Sequence, residues 1–115
     1  LKLVFNLIKY FMIELSQNDW ASQKEADSES IIIDVRTKDE LEEGLIPDAI
    51  HMDIYKGQEF ISGLEKLDKT LGYYVYCRSG NRSAQACSIM SQMGFKSTFN
   101  LSGGFLGWTG PSLTP

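Results

Sequence analysis

The sequence is short of cysteine, histidine and basic charge, and it has no long apolar run. Its 115 residues hold two cysteines, Cys77 and Cys87. A secreted chain of this size would often carry more, at framework spacing, so a reducing compartment, the cytoplasm, is expected. Histidine occurs once, as His51, just inside an expected strand. The formal net charge of -4 argues against nucleic acid, whose phosphates want a basic face. It leaves a small anionic substrate open, because one basic pocket suffices. The most apolar stretch, residues 1–13, is too short to span a bilayer as a helix. Lys2, Asn6 and Lys9 interrupt it, and no small-residue cleavage site follows, so neither a transmembrane segment nor a secretory signal is expected. Internal repeats, low-complexity tracts and a second domain are also missing.

What is present is an ordinary globular composition, 43% hydrophobic and 23% charged. A chain of this length makes one domain with its own core. Residues 1–11 read as an amphipathic N-terminal extension. Lys2, Asn6 and Lys9 form one narrow stripe, and Leu1, Val4, Phe5, Ile8 and Phe11 cover the other face. With only two cations on its polar face, it is expected to pack or self-associate rather than lie on a membrane. Met12 fits as a natural first residue, and residues 12–115 form the domain.

Strand and helix signals then alternate. Ile13-Glu14-Leu15 suits a strand. Ser16 with Asp19 opens a helix that buries Trp20. Ile31-Ile32-Ile33 is an apolar β-branched run, as in a strand covered on both faces. Thr37 with Glu40 is a capping box for a short helix that Gly44 ends. A third strand is expected over residues 50–54, and a helix over 58–67 with Phe60, Ile61 and Leu64 inward. Tyr73 to Tyr76 form a strand, and a helix runs from Ser83 to Met93, stopped by Gly94. Residues 98–101 form a last strand, followed by Gly103-Gly104 and a short helical turn near Trp108. The pattern is α/β: a central, mostly parallel five-stranded sheet flanked by helices on both faces.

In such sheets ligands bind where strand carboxyl ends meet helix N-termini. Cys77-Arg78-Ser79-Gly80-Asn81-Arg82 occupies that place, between the Tyr73–Tyr76 strand and the next helix. Loop N–H groups and the positive end of a helix dipole favour thiolate over thiol there. Gly80 permits the turn that aims several N–H groups inward. Arg78 and Arg82 add charge suited to an oxyanion. The segment reads as an anion cradle with a sulfur nucleophile at its floor.

Over residues 12–110 the chain resembles the rhodanese domain family. The matching pieces are Asp34-Val35-Arg36, Glu40, Gly44-Leu45-Ile46-Pro47-Asp48-Ala49-Ile50, Cys77 to Ser83, and Leu101-Ser102-Gly103-Gly104 with Trp108. The family usually has His in place of Leu45 and Gly in place of Asp48. The resemblance implies a sulfurtransferase working through a persulfide on Cys77, with Arg78, Ser79, Gly80, Asn81 and Arg82 binding substrate. The donor would be a small sulfur anion such as thiosulfate, and the acceptor cyanide, a thiol or a protein. No metal or organic cofactor is implied.

Quieter roles are expected for the other residues. Cys87 falls on the apolar side of its helix and reads as buried and inert. Arg36 with Glu40 reads as an i,i+4 pair, and Asp34 and His51 read as structural. Arg82 is weighed equally as substrate contact and as brace. Two other function classes stay in view. Phosphatases and arsenate reductases of this fold use a cysteine loop one residue longer, whereas here four residues separate Cys77 from Arg82. Non-catalytic interaction modules typically lack the cysteine.

Overall fold

A computed structural model describes residues 13–115. The extension at 1–11, its self-association and the start at Met12 lie outside these residues. Five strands form one sheet: β1 Ile13–Leu15, β2 Ile31–Asp34, β3 Ile50–His51, β4 Gly72–Tyr76 and β5 Ser97–Leu101. Their spatial order is β1-β5-β4-β2-β3, and every pairing is parallel. The α-helices are α1 Gln17–Ala26, α2 Gln58–Glu65 and α3 Asn81–Gln92. Three 3-10 turns, Asp39–Glu43, Ile54–Lys56 and Phe105–Gly107, complete the connections.

The two-residue period of the strands explains the two layers of core. Along β4, Tyr73 and Val75 point to one face, where Phe60 and Leu64 of α2 and Ala86, Cys87 and Met90 of α3 cover them. Cys77 continues that alternation and joins the same cluster. Tyr74 and Tyr76 point the other way, to Trp20 of α1, Ile32, Ile46 and Leu101. Trp20 meets Tyr74, Tyr76 and Trp108 edge to face, at centroid distances of 5.7, 6.2 and 5.6 Å. The three tyrosines are therefore sheet residues.

Local signals place most element ends. The Ser16 side chain accepts from the Asp19 N–H at the start of α1. Thr37 and Glu40 cap each other reciprocally, Thr37 N to Glu40 Oε1 at 3.1 Å and Glu40 N to Thr37 Oγ1 at 3.4 Å. The turn they open is 3-10, and Gly44 closes it at φ 112°.

The helix expected over 58–67 ends at Glu65, the last two strands each begin one residue earlier than expected, and two further boundaries differ in ways that bear on the site. The third strand covers only Ile50–His51, because the Asp53 side chain accepts from the Tyr55 N–H and opens a 3-10 turn at Ile54. The helix expected from Ser83 begins at Asn81, so Asn81 and Arg82 belong to its first turn. Gly80, at φ 106°, makes the bend one residue before it. Asp48 stands where the family usually has glycine, and at φ 68° it is the one non-glycine residue with positive φ among those described. Aspartate tolerates that conformation better than most side chains.

Candidate active site

The loop from Cys77 to Gly80 joins the carboxyl end of β4 to the N-terminus of α3. Its outer side is fixed by the 3-10 turn at Phe105–Gly107. Phe105 N donates to the Cys77 carbonyl at 2.8 Å, and Leu106 N donates to the Arg78 carbonyl at 3.0 Å. With those carbonyls turned outward, the following N–H groups turn inward. Gly104 lies against this seam, at φ 59°, and a Cβ there would sit 2.5 Å from the Arg78 oxygen and 2.7 Å from the Cys77 oxygen. Only glycine lets the two segments approach this closely.

The inward groups converge on one atom. Gly80 N donates to Cys77 Sγ at 3.1 Å, and the Ser83 hydroxyl lies 3.2 Å from the same sulfur. The Ser79 and Ser83 N–H groups also favour its ionised form. Burial pushes the thiol up, since Cys77 has no exposed surface, yet these hydrogen bonds outweigh it and hold the thiol below its ordinary value. Hydrogen bonds from the loop lead that lowering; the arginine side chains bond elsewhere, and Arg82 acts on the sulfur through its charge. Arg78, about half exposed, points to Glu43 at 3.3 Å. Both terminal nitrogens of Arg82 go to Glu40, each at 2.7 Å, while its guanidinium lies 5.4 Å from the Tyr55 ring centre. The bond from Arg82, with burial opposing it and the Thr37 donors adding to it, takes the Glu40 carboxyl down to about 2. Arg82 thus braces the first turn of α3 against the 39–43 turn.

This arrangement corrects the expected Arg36–Glu40 pair. The Glu40 carboxylate is spent on Arg82 and Thr37, and Arg36 reaches only the Glu40 carbonyl, at 3.2 Å. Arg36 is fully buried and forks onto Asp34, with Nη2 to Oδ2 at 2.7 Å and Nε to Oδ1 at 3.0 Å. It also donates to the Gly44 carbonyl at 2.7 Å. A buried ion pair is tolerable when its remaining donors are met in this way. His51 Nε2 lies 2.6 Å from the Arg36 carbonyl, so the sole histidine serves the same structural corner.

Of the expected site residues, Cys77, Gly80 and the Ser79 backbone come together around the sulfur. The Ser79 and Asn81 residues are exposed, and the Arg78 and Arg82 side chains are held by carboxylates. Cys87 is fully buried, and burial pushes its thiol up to about 12 against the pull of Thr98. The sequence reading assigned no role to the Ser83 hydroxyl or to Asn100. The only sequence signal for Asn100 is an amide set between Phe99 and Leu101 in the strand Ser97–Leu101. Among the described residues, no helix is long and apolar enough to cross a membrane.

Known proteins are similar to this chain in sequence and in fold. The model of the rhodanese-like domain family matches residues 17–111. YtwF of Bacillus subtilis (strain 168) is 39% identical over 97 residues, which cover 84% of this chain and 90% of that protein. A sulfurtransferase of Allochromatium vinosum is 34% identical over 98 residues, covering 84% and 89%. The crystal structure of a rhodanese-like domain protein from Staphylococcus aureus superimposes with a TM-score of 0.78, covering 90% of this chain and 99% of that one at 24% identity.

Proposed function

The chain belongs to the rhodanese-like domain family, and from that premise we propose that this rhodanese-type sulfurtransferase works through a persulfide on Cys77. The observation that carries the reading is the convergence of Gly80 N, the Ser79 and Ser83 N–H groups and the Ser83 hydroxyl on the Cys77 sulfur. A thiolate held this way is a nucleophile at neutral pH. It attacks the outer sulfur of a donor such as thiosulfate. A new S–S bond forms to Cys77, the old one breaks, and sulfite leaves with the electron pair. The cradle then stabilises the terminal sulfur of the persulfide, as an oxyanion hole stabilises developing charge. A thiol or cyanide takes that outer sulfur, and the Cys77 thiolate leaves. Arg78 stands at the rim, and Arg82 acts through the loop it braces.

The six-residue loop from Cys77 to Arg82 suits one anionic atom bonded to sulfur. A phosphoryl group needs an arginine free to grip its oxygens, and Arg82 is held by Glu40. The test combines turnover with intact mass. Incubation with thiosulfate should leave the protein heavier by one sulfur, located at Cys77, and cyanide should remove it as thiocyanate. Cys77→Ser should lose turnover by about a thousandfold or more. Efficient aryl phosphate hydrolysis beside poor sulfur transfer would overturn the assignment.

A further inference from the structure

The Ser83 hydroxyl has one proton and two acceptors within reach, Cys77 Sγ and the Gly80 carbonyl, both at 3.2 Å. Which acceptor takes that proton matters, because only one choice helps the thiolate. The Gly80 carbonyl has other donors. Ala84 N approaches it at 3.2 Å as the first helical bond of α3, and Asn100 Nδ2 approaches it at 3.1 Å. A carbonyl oxygen has two lone pairs, and these two donors fill them. The second proton of the Asn100 amide goes to Glu14 Oε1 of β1 at 3.0 Å. Both neighbours of that NH2 group are obligate acceptors, so the amide cannot turn around without losing both bonds. Its own Oδ1 is buried without a partner. An orphaned buried acceptor is unfavourable, and it persists here beside two satisfied donors.

We propose that Asn100 is a positioning residue: by occupying the Gly80 carbonyl it reserves the Ser83 hydroxyl proton for the Cys77 sulfur, with Glu14 holding the amide in register. Asn100 touches neither the sulfur nor a substrate. It acts through Gly80 and Ser83, and it ties the edge strand β1 to the nucleophile. The inference rests on the persulfide reading, in which the thiolate is the attacking species.

The test follows alkylation of Cys77 by iodoacetamide against pH in a Cys87→Ala background, where Cys77 is the sole thiol. Asn100→Leu keeps the branched shape of the side chain, with somewhat larger groups at its end, and removes both donors and the orphaned oxygen. Its alkylation inflection should rise by about one pH unit, the effect of losing one hydrogen bond to a charged acceptor. In a Ser83→Ala background the same substitution should shift the inflection no further, because no hydroxyl proton remains to be redirected. A purely structural role would disturb the loop in both backgrounds. A folded Asn100→Leu protein with the parent inflection, or an undiminished shift in the Ser83→Ala background, would overturn the proposal. If Asn100→Leu does not fold, Glu14→Ala decides: an upward shift supports the coupling, and none overturns it. A parent protein that titrates at or above the free thiol value, about 8.5, refutes thiolate activation itself and so fails the underlying reading separately.

Discussion

Cys77 and Cys87 lie ten residues apart in sequence, pack into the same cluster and are both fully buried. Their chemistry is nevertheless opposite. Burial raises both thiols, but only Cys77 meets enough donors to end below its ordinary value, while Cys87 is pushed up to about 12. The difference lies in backbone direction. Cys77 stands before the first turn of α3, where N–H groups have no helical partner and aim at it. Cys87 stands inside the same helix, where every neighbouring N–H is already spent on the helical ladder. The two thiols differ in acidity through the donors they meet, since their exposure is the same.

Three changes break or sharpen that contrast. The largest effect is expected from Gly104→Ala. Its Cβ would collide with the Cys77 and Arg78 carbonyls, which anchor the loop to the Phe105–Gly107 turn. Turnover of thiosulfate should fall about a hundredfold, as for a displacement of about 1 Å at a catalytic group. Alkylation of Cys87 in the folded state should remain undetectable. Activity near the parent value would mean that the loop does not depend on this seam.

Ser83→Ala comes next. It removes one donor from Cys77 and none from Cys87, and the Cys77 alkylation inflection should rise by about one pH unit. The rate constant of the fully ionised thiolate should change little, which separates acidity from positioning. An unchanged inflection would assign the lowering to backbone N–H groups alone.

The smallest effect is on the pH dependence of stability, and it has opposite signs for the two thiols. Cys87 has a raised folded value, so its contribution is fully present below the unfolded value, about 8.5, and is lost as pH rises toward about 12. Cys77 has a depressed folded value, so its contribution is present above about 8.5 and is lost as pH falls through the folded value. Urea unfolding above about pH 8.5 should therefore show Cys87→Ala losing less stability than the parent, while below about 8.5 Cys77→Ala should lack the gain in stability that the parent shows as pH rises. Parallel curves for both variants would contradict the contrast.

The sequence reading found the sheet, because β-branched and aromatic runs with turn residues between them follow the strand period closely. It found Cys77 and its loop because a cysteine between a strand and a helix, followed by glycine, is a local signal. The Glu40 clamp escaped it: helical spacing suggested Arg36 as partner, whereas the fold brings Arg82 from 42 positions away. Asn100 escaped for the same reason, since both of its partners are distant along the chain. The start of α3 lies two residues before Ser83 because its cap is Gly80, which turns the backbone at φ 106° with no side-chain cap bond to mark the position.

The position of β1 beside β5 has a consequence for the order of folding. Glu14 meets Asn100 across 86 positions, so this contact closes one of the longest loops among the described residues. Strands β2, β3 and β4 can pair as soon as they exist, but β1 has no neighbour in the sheet until β5 arrives. On a ribosome, which extends the chain from its N-terminus, β1 is made first and seated last. The Cys77 loop emerges before Asn100, so the nascent chain passes through a stage in which the sulfur is present and its tether is not. During that interval Gly80 lacks the donor that Asn100 later brings to its carbonyl.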